Sequence, residues 1–141
     1  MTDDYNLQRF LDAQEPTYRT VLAELRVGRK SSHWMWFIFP QITGLGHSAM
    51  AQQFAIGSLD EAKAYLQHPV LGSRLRECTQ LVLDVNGRSA EEIFSYPDHL
   101  KFRSCMTLFM SATTDNKIFK DALRKYFDGK PDQMTLDILA Q

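Results

Sequence analysis

Lys30, Ser31, Ser32 and His33 stand in a row directly ahead of Trp34 and Trp36. Residue types in that order suit an anion held beside a flat ring. Lys30 would supply a point charge. If Ser31 to His33 open a helix, their unpaired N–H groups and the helix dipole favour negative charge, and the two hydroxyls add donors. Trp34 or Trp36 would stack a planar group such as a base. His33 can take up or release a proton near neutral pH, which makes it the candidate acid or base if the ligand reacts. Gln41, ordered by the fixed φ of Pro40, offers a carboxamide that donates and accepts along one edge. A competing reading needs no ligand: a serine caps a helix, Lys30 is solvated, and the aromatics fill the core. Gln41 would then tie down the Gly44–Gly46 loop.

A second polar group, Asp98, Lys101, Arg103 and Ser104, lies far along the chain. On a helix, Lys101 and Ser104 fall on one side, three residues apart. If that side faces the tryptophan segment, Asp98, Lys101 and Ser104 would complete its ligand site. Elsewhere the chemistry is sparse. His47 and His99 have no histidine or carboxylate partner at metal-binding spacing, so no metal site is expected. His68 before Pro69 reads as a helix cap. No Ser-His-Asp order, nucleophile elbow or pair of carboxylates stands out. Gly44-Leu45-Gly46 lacks the strand and third glycine of a phosphate loop and reads as a turn. No cofactor is implied.

These residues must be positioned by something, and the pattern says helices. Apolar residues recur at three and four in Tyr18, Val21, Leu22 and Leu25, with Gly28 placed to stop that helix. Leu71, Leu75, Cys78, Leu81, Val82 and Val85 make the longest amphipathic stripe. Ile118, Phe119, Ala122, Leu123, Tyr126 and Phe127 make another. Ser58 with Glu61, and Ser89 with Glu92, have capping-box spacing. Asn6, and Thr114 or Asp115, are expected caps of the helices that follow them. Trp34 to Phe39 fits either a buried strand or a short buried helix by period. Pro40 as a stop, and the lack of a strong partner strand, favour the helix. The expectation is an all-α fold of about eight short helices in a single domain over residues 1–141.

Composition narrows the functional classes. The chain has 141 residues, 44% of them hydrophobic, and a net charge of −1, which suits one packed core and gives nucleic acid or a membrane surface no bulk field to follow. Neither nucleic acid nor a membrane is expected as a partner. Cys78 and Cys105 form no CxxC pair and read as reduced, buried thiols, which suits the cytoplasm. The polar start Met1-Thr2-Asp3-Asp4-Tyr5 does not read as a signal peptide.

The segment Ser32-His33-Trp34-Met35-Trp36-Phe37-Ile38-Phe39-Pro40-Gln41 also resembles a known pattern, together with Gly44-Leu45-Gly46-x-Ser48. So do Tyr65-Leu66-x-His68-Pro69-x-Leu71-Gly72-x-Arg74-Leu75 and Ser104-x-Met106-Thr107-Leu108-Phe109. By these the chain resembles the bacterial family DUF1810, nearly end to end. The resemblance implies one α-helical domain and no established activity. The label calpastatin-like, sometimes given to that family, denotes a disordered, charge-rich repeat protein and does not suit this composition. Tyr65-Leu66-x-His68-Pro69-x-Leu71-x-x-x-Leu75 is also similar to a short helical stretch of the NADAR family, which would imply an ADP-ribose-type nucleotide hydrolase. The leading functional expectation is a small anionic, nucleotide-like ligand at Lys30–Gln41, bound or turned over. The alternatives are a protein partner on an exposed aromatic surface, and a motif that only packs the core.

Overall fold

The computed structural model describes residues 3–141; Met1 and Thr2, part of the start read above for a leader, lie outside them. Ten helices follow in order: α1 (Gln8–Gln14), α2 (Tyr18–Val27), α3 (Met35–Ile38), α4 (Ala49–Gln53), α5 (Leu59–Gln67), α6 (Leu71–Asp84), α7 (Ala90–Phe94), α8 (Asp98–Ala112), α9 (Lys117–Phe127) and α10 (Gln133–Leu139). The fold is all-α as expected, with ten helices among the described residues where about eight were expected. Among the described residues the β-structure is an isolated parallel bridge between Ile42 and Ile56. No helix of the described residues is long and apolar enough to cross a membrane.

α8 is the axis of the fold. Six consecutive residues, Ser104 to Phe109, are buried, so the helix is covered on every side, as an apolar helix must be. α5, α7, α9 and α10 pack around it, while α6 packs on α2, α5 and α9. A chain of aromatic rings threads the core. Phe39 meets Phe94 and Phe102 edge-on, with centroids 5.8 and 5.1 Å apart, and Phe94 stacks on Phe102 at 4.8 Å. Edge-on and offset contacts of this kind suit the ring quadrupoles. Cys78 and Cys105 are free and buried in this core. Burial pushes the Cys78 thiol up to about 12 and raises that of Cys105, so neither is a ready thiolate nucleophile.

Several helix boundaries follow the residues expected to set them. Gly28 ends α2 at φ +81°, a left-handed conformation that costs glycine little. Ser89 and Glu92 form a complete capping box, and Ser48 caps α4. Ser58 accepts from the Glu61 N–H, but the Glu61 carboxylate reaches Gly57 and Arg9 instead of returning to Ser58. His68 caps through Nδ1, which accepts from the N–H groups of Val70 and Leu71 at 3.1 and 3.2 Å. Two expected caps are corrected. The start of α1 is held by the Asp3 carboxylate, which accepts from Leu7 and Gln8, rather than by Asn6. α9 begins after Asn116 without a side-chain cap; neither Thr114 nor Asp115 serves.

Candidate functional site

The aromatic segment follows α2, its turn packs on α1, and its Lys30, Trp36 and Phe39 side chains meet Asp98, Lys101 and Phe102 of α8. Leaving α2 at Gly28, the chain runs through Arg29 to Trp34 and makes one helical turn at Met35–Ile38. The turn opens at Trp34, so Ser31 and Ser32 do not cap it. Their donors go to Glu24 of α2. One Glu24 oxygen accepts from the Ser31 N–H at 2.7 Å, the Ser32 N–H at 3.0 Å and the Trp34 indole N–H at 2.9 Å; the other accepts from the Ser32 hydroxyl at 2.5 Å. Partial burial tends to raise the Glu24 pKa. The Ser32 hydroxyl, the Ser31 amide and the Trp34 indole outweigh it and hold the carboxyl at about 2. The anion that these amides were expected to draw from solution is thus a side chain of the protein itself.

Trp34 is fully buried and packs 6.2 Å from Phe39, so it offers no face to a planar ligand. Phe37 and Phe39 are buried too, which leaves the motif without the flat exposed aromatic surface expected for a protein partner. His33 is exposed and lines none of the three hollows beside the segment, including an open apolar one of about 260 Å³ bordered by Ala23, Glu24, Val27, Arg29 and Ser31.

The other side of the segment is open. Asp98, first residue of α8, accepts from the Lys30 ammonium at 2.9 Å and from the Lys101 ammonium at 3.1 Å. Lys30 lies 5.3 Å from the Trp34 ring centre and Lys101 lies 5.3 Å from that of Trp36, within the range in which a cation is drawn to an indole face. The two distant polar groups of the sequence therefore meet. Two ammonium groups share one carboxylate, each lysine stands over one tryptophan, and Trp36 is only partly buried. The Lys30 side chain is only 9% exposed, whereas that of Lys101 is 25% exposed, so the accessible part of the positive charge is at Lys101.

Lys101, Gln41 and Gly46 border two cavities. The smaller, about 20 Å³, lies against Trp36, Phe39 and Phe54 and has room for about one water. The larger is an open cleft of about 320 Å³ lined by Gln41, Leu45, Pro97, Lys101, Ser104 and Asp132, among others, near the lower end of small-molecule pockets. Gln41 is fixed in the loop by its carbonyl, which accepts from the Ile56 N–H at 2.8 Å. At Gly46 an added Cβ would come 2.6 Å from that of Ala51, so glycine lets the loop fold tightly over α4.

Of the residues singled out in the sequence, Trp36, Gln41, Lys101 and Ser104 thus lie around the cavities, and Lys30 and Asp98 support them. Ser31, Ser32 and Trp34 close on Glu24, and His33 stands apart. Arg103 lies 5.6 Å from the Phe127 ring and donates to the Lys130 carbonyl. Three contributors were not anticipated. Glu24 and Asp132 are two of them; the third is Gln14, fully buried, which donates to the Phe37 carbonyl at 2.7 Å and so anchors the turn from below. Asp132 had a local signal, since an aspartate three residues before Thr135 can cap a helix, as it does here at 3.1 Å. Glu24 and Gln14 had none, because their partners lie seven or more residues away.

The stretch from Tyr65 to Leu75 is occupied with structure. Tyr65 and Leu71 are fully buried, and His68 spends its Nδ1 on the start of α6.

Comparison with known proteins agrees with this fold. Residues 4–139 match the family model described as "Protein of unknown function (DUF1810)", and the chain belongs to that family. It is similar to the crystal structure of the conserved hypothetical protein Rv1873 from Mycobacterium tuberculosis, at 55% identity over 99% of each chain and a TM-score of 0.98. No curated protein matches it.

Proposed function

We propose that this member of the DUF1810 family is a small-molecule-binding domain. Its ligand would present an anionic group to Lys101 and Gln41 in the cleft between the Gln41–Gly46 loop and α8. The observation that carries this reading is the unequal charge at Asp98, where one carboxylate faces the ammonium groups of Lys30 and Lys101. A partly buried excess cation favours an incoming anion, because the low surrounding dielectric strengthens their attraction. Trp36 would lie along the neighbouring wall, and the cleft volume suits a small metabolite rather than a dinucleotide. Relative to the sequence-based expectation, the site moves from the Ser31–His33 amides to the Gln41 end of the same segment. Binding is the proposed activity, and His33 has no part in it.

The test is a thermal-shift screen of organic carboxylates and phosphates on wild type and on Lys101→Gln. A ligand at about a hundred times its Kd adds about 2.7 kcal/mol to native stability, a Tm rise of roughly 6–12 °C for a domain of this size. A rise in wild type that Lys101→Gln abolishes supports the reading. Equal rises in both proteins, or none in either, overturn it.

A second reading has one observation of its own. Met134, Tyr96 and Leu100 are 61%, 73% and 42% exposed, and Leu100 and Met134 line the cleft. Such side chains can anchor a protein partner. Pull-down with the protein bearing Leu100→Ser and Met134→Ser separates the two: a partner would be lost with the apolar rim, a small anion with Lys101.

A further inference from the structure

The cleft that holds Lys101 also holds a charge of opposite sign. Asp132 lines it, and its two oxygens are used unequally. Oδ2 accepts from the Thr135 N–H at 3.1 Å, the Thr135 hydroxyl at 2.6 Å and the Ser104 hydroxyl at 3.2 Å. Oδ1 accepts from none of these groups. Ser104 links the two charges: it follows Lys101 by three residues on α8, and its hydroxyl lies 3.2 Å from Asp132 Oδ2. Lys101 bonds Asp98 and not Asp132. Both charged side chains line one cleft, together with Leu45, Pro97, Leu100 and Met134.

A plain anion uses only one of the two charges. Its own charge would meet Lys101, but it would bring no donor to Asp132 Oδ1, which accepts from none of the three groups on Oδ2. A molecule that also carries an ammonium group gives Asp132 Oδ1 that donor. We infer that the ligand is a small zwitterion, with its carboxylate on Lys101, its ammonium on Asp132 Oδ1, and a short apolar body against Leu100 and Met134. This deepens the anion-binding reading and rests on it.

The probes are ω-amino acids of rising length: glycine, β-alanine, γ-aminobutyrate and ε-aminocaproate. Butyrate and butylamine serve as single-charge controls. Affinities are read by titration calorimetry on wild type, Asp132→Asn and Lys101→Gln. Asparagine at position 132 retains a side-chain oxygen to cap α10, so the variant keeps its fold, which circular dichroism checks. One member of the series should bind wild type about tenfold tighter than butyrate, the worth of one charge-assisted hydrogen bond. Asp132→Asn should remove that margin while leaving butyrate binding unchanged or stronger. Equal binding of butyrate and the whole series to wild type overturns the zwitterion inference and leaves the anion reading standing, provided that Lys101→Gln weakens butyrate. A margin that survives Asp132→Asn also overturns the inference. No binding of any carboxylate overturns both.

Discussion

The segment from Lys30 to Gln41 has two sides, one facing Glu24 and one facing Asp98, and they finish in opposite states. On the first side, two amides, a hydroxyl and an indole N–H converge on the Glu24 carboxylate. Donors and acceptor balance, and Trp34 is sealed inside. On the second side, two ammonium groups converge on the Asp98 carboxylate, Trp36 is only partly buried, and a cleft opens alongside. The difference lies in what the neighbouring helix supplies. α2 brings an acceptor for the donors on its side, whereas α8 brings one carboxylate and one further cation. A run of lysine, serine and tryptophan thus becomes architecture where its polar groups are matched by the protein and a candidate site where they are not.

The largest test of that contrast compares the tryptophans. Trp34→Ala removes a fully buried ring and its bond to Glu24 and should destabilise the protein by about 3–5 kcal/mol. Trp36→Ala removes a partly buried ring and should cost about 2 kcal/mol, in line with partial burial. Urea unfolding of both variants measures the gap. Equal losses would break the contrast, because both rings would then be core.

Glu24→Gln comes next. It removes the charge that four donors share and should cost about 2–3 kcal/mol, as for hydrogen bonds to an ionised group. The effect has a pH signature. The folded pKa, about 2, lies below the ordinary 4.5, so the stabilisation is complete above pH 4.5 and is lost as pH falls through about 2. The stability difference between wild type and Glu24→Gln should therefore be constant from pH 7 to 5 and shrink steadily towards pH 2. A difference that does not change over that range would show that the Glu24 charge contributes nothing to the closed side.

Asp98→Asn probes the open side and should act on stability and binding in opposite directions. Neutralising Asp98 leaves the largely buried Lys30 ammonium without its counter-charge and should cost about 1–2 kcal/mol, less than for a fully buried pair. It also releases Lys101 from its internal partner, so carboxylate affinity should rise severalfold. Loss of both stability and affinity would mean that Asp98 positions Lys101 for the ligand rather than competing with it, and the charge argument would need revising.

How much of this the sequence disclosed depended on how local the cause was. The helical periods, the Gly28 stop and the Ser89–Glu92 box are decided within a few residues and were legible. The meeting of Lys30 with Asp98 was visible only as two polar groups worth joining, since 68 residues separate them and tertiary packing alone fixes their distance. The fate of Ser31 and Ser32 was misread for the same reason. A serine pair ahead of an apolar run has the local form of a helix cap, but Glu24 lies seven and eight residues back, across the end of α2, beyond any capping pattern. His33 drew attention through its neighbours, and its neighbours turn away from it into the core.

The smallest expected effect therefore falls on the residue that the sequence put forward for catalysis. His33 is exposed and lines none of the cavities beside the segment. His33→Ala should change stability by no more than about 0.5 kcal/mol, as exposed substitutions generally do, and should leave carboxylate affinity within twofold of wild type. Calorimetry on His33→Ala beside Lys101→Gln makes the comparison direct. A tenfold loss with His33→Ala would mean that ligand reaches the closed side after all, and that Glu24 gives up its donors when ligand arrives. The partition of the segment into a packed side and a binding side would then fail at its smallest predicted effect, where the two accounts differ most.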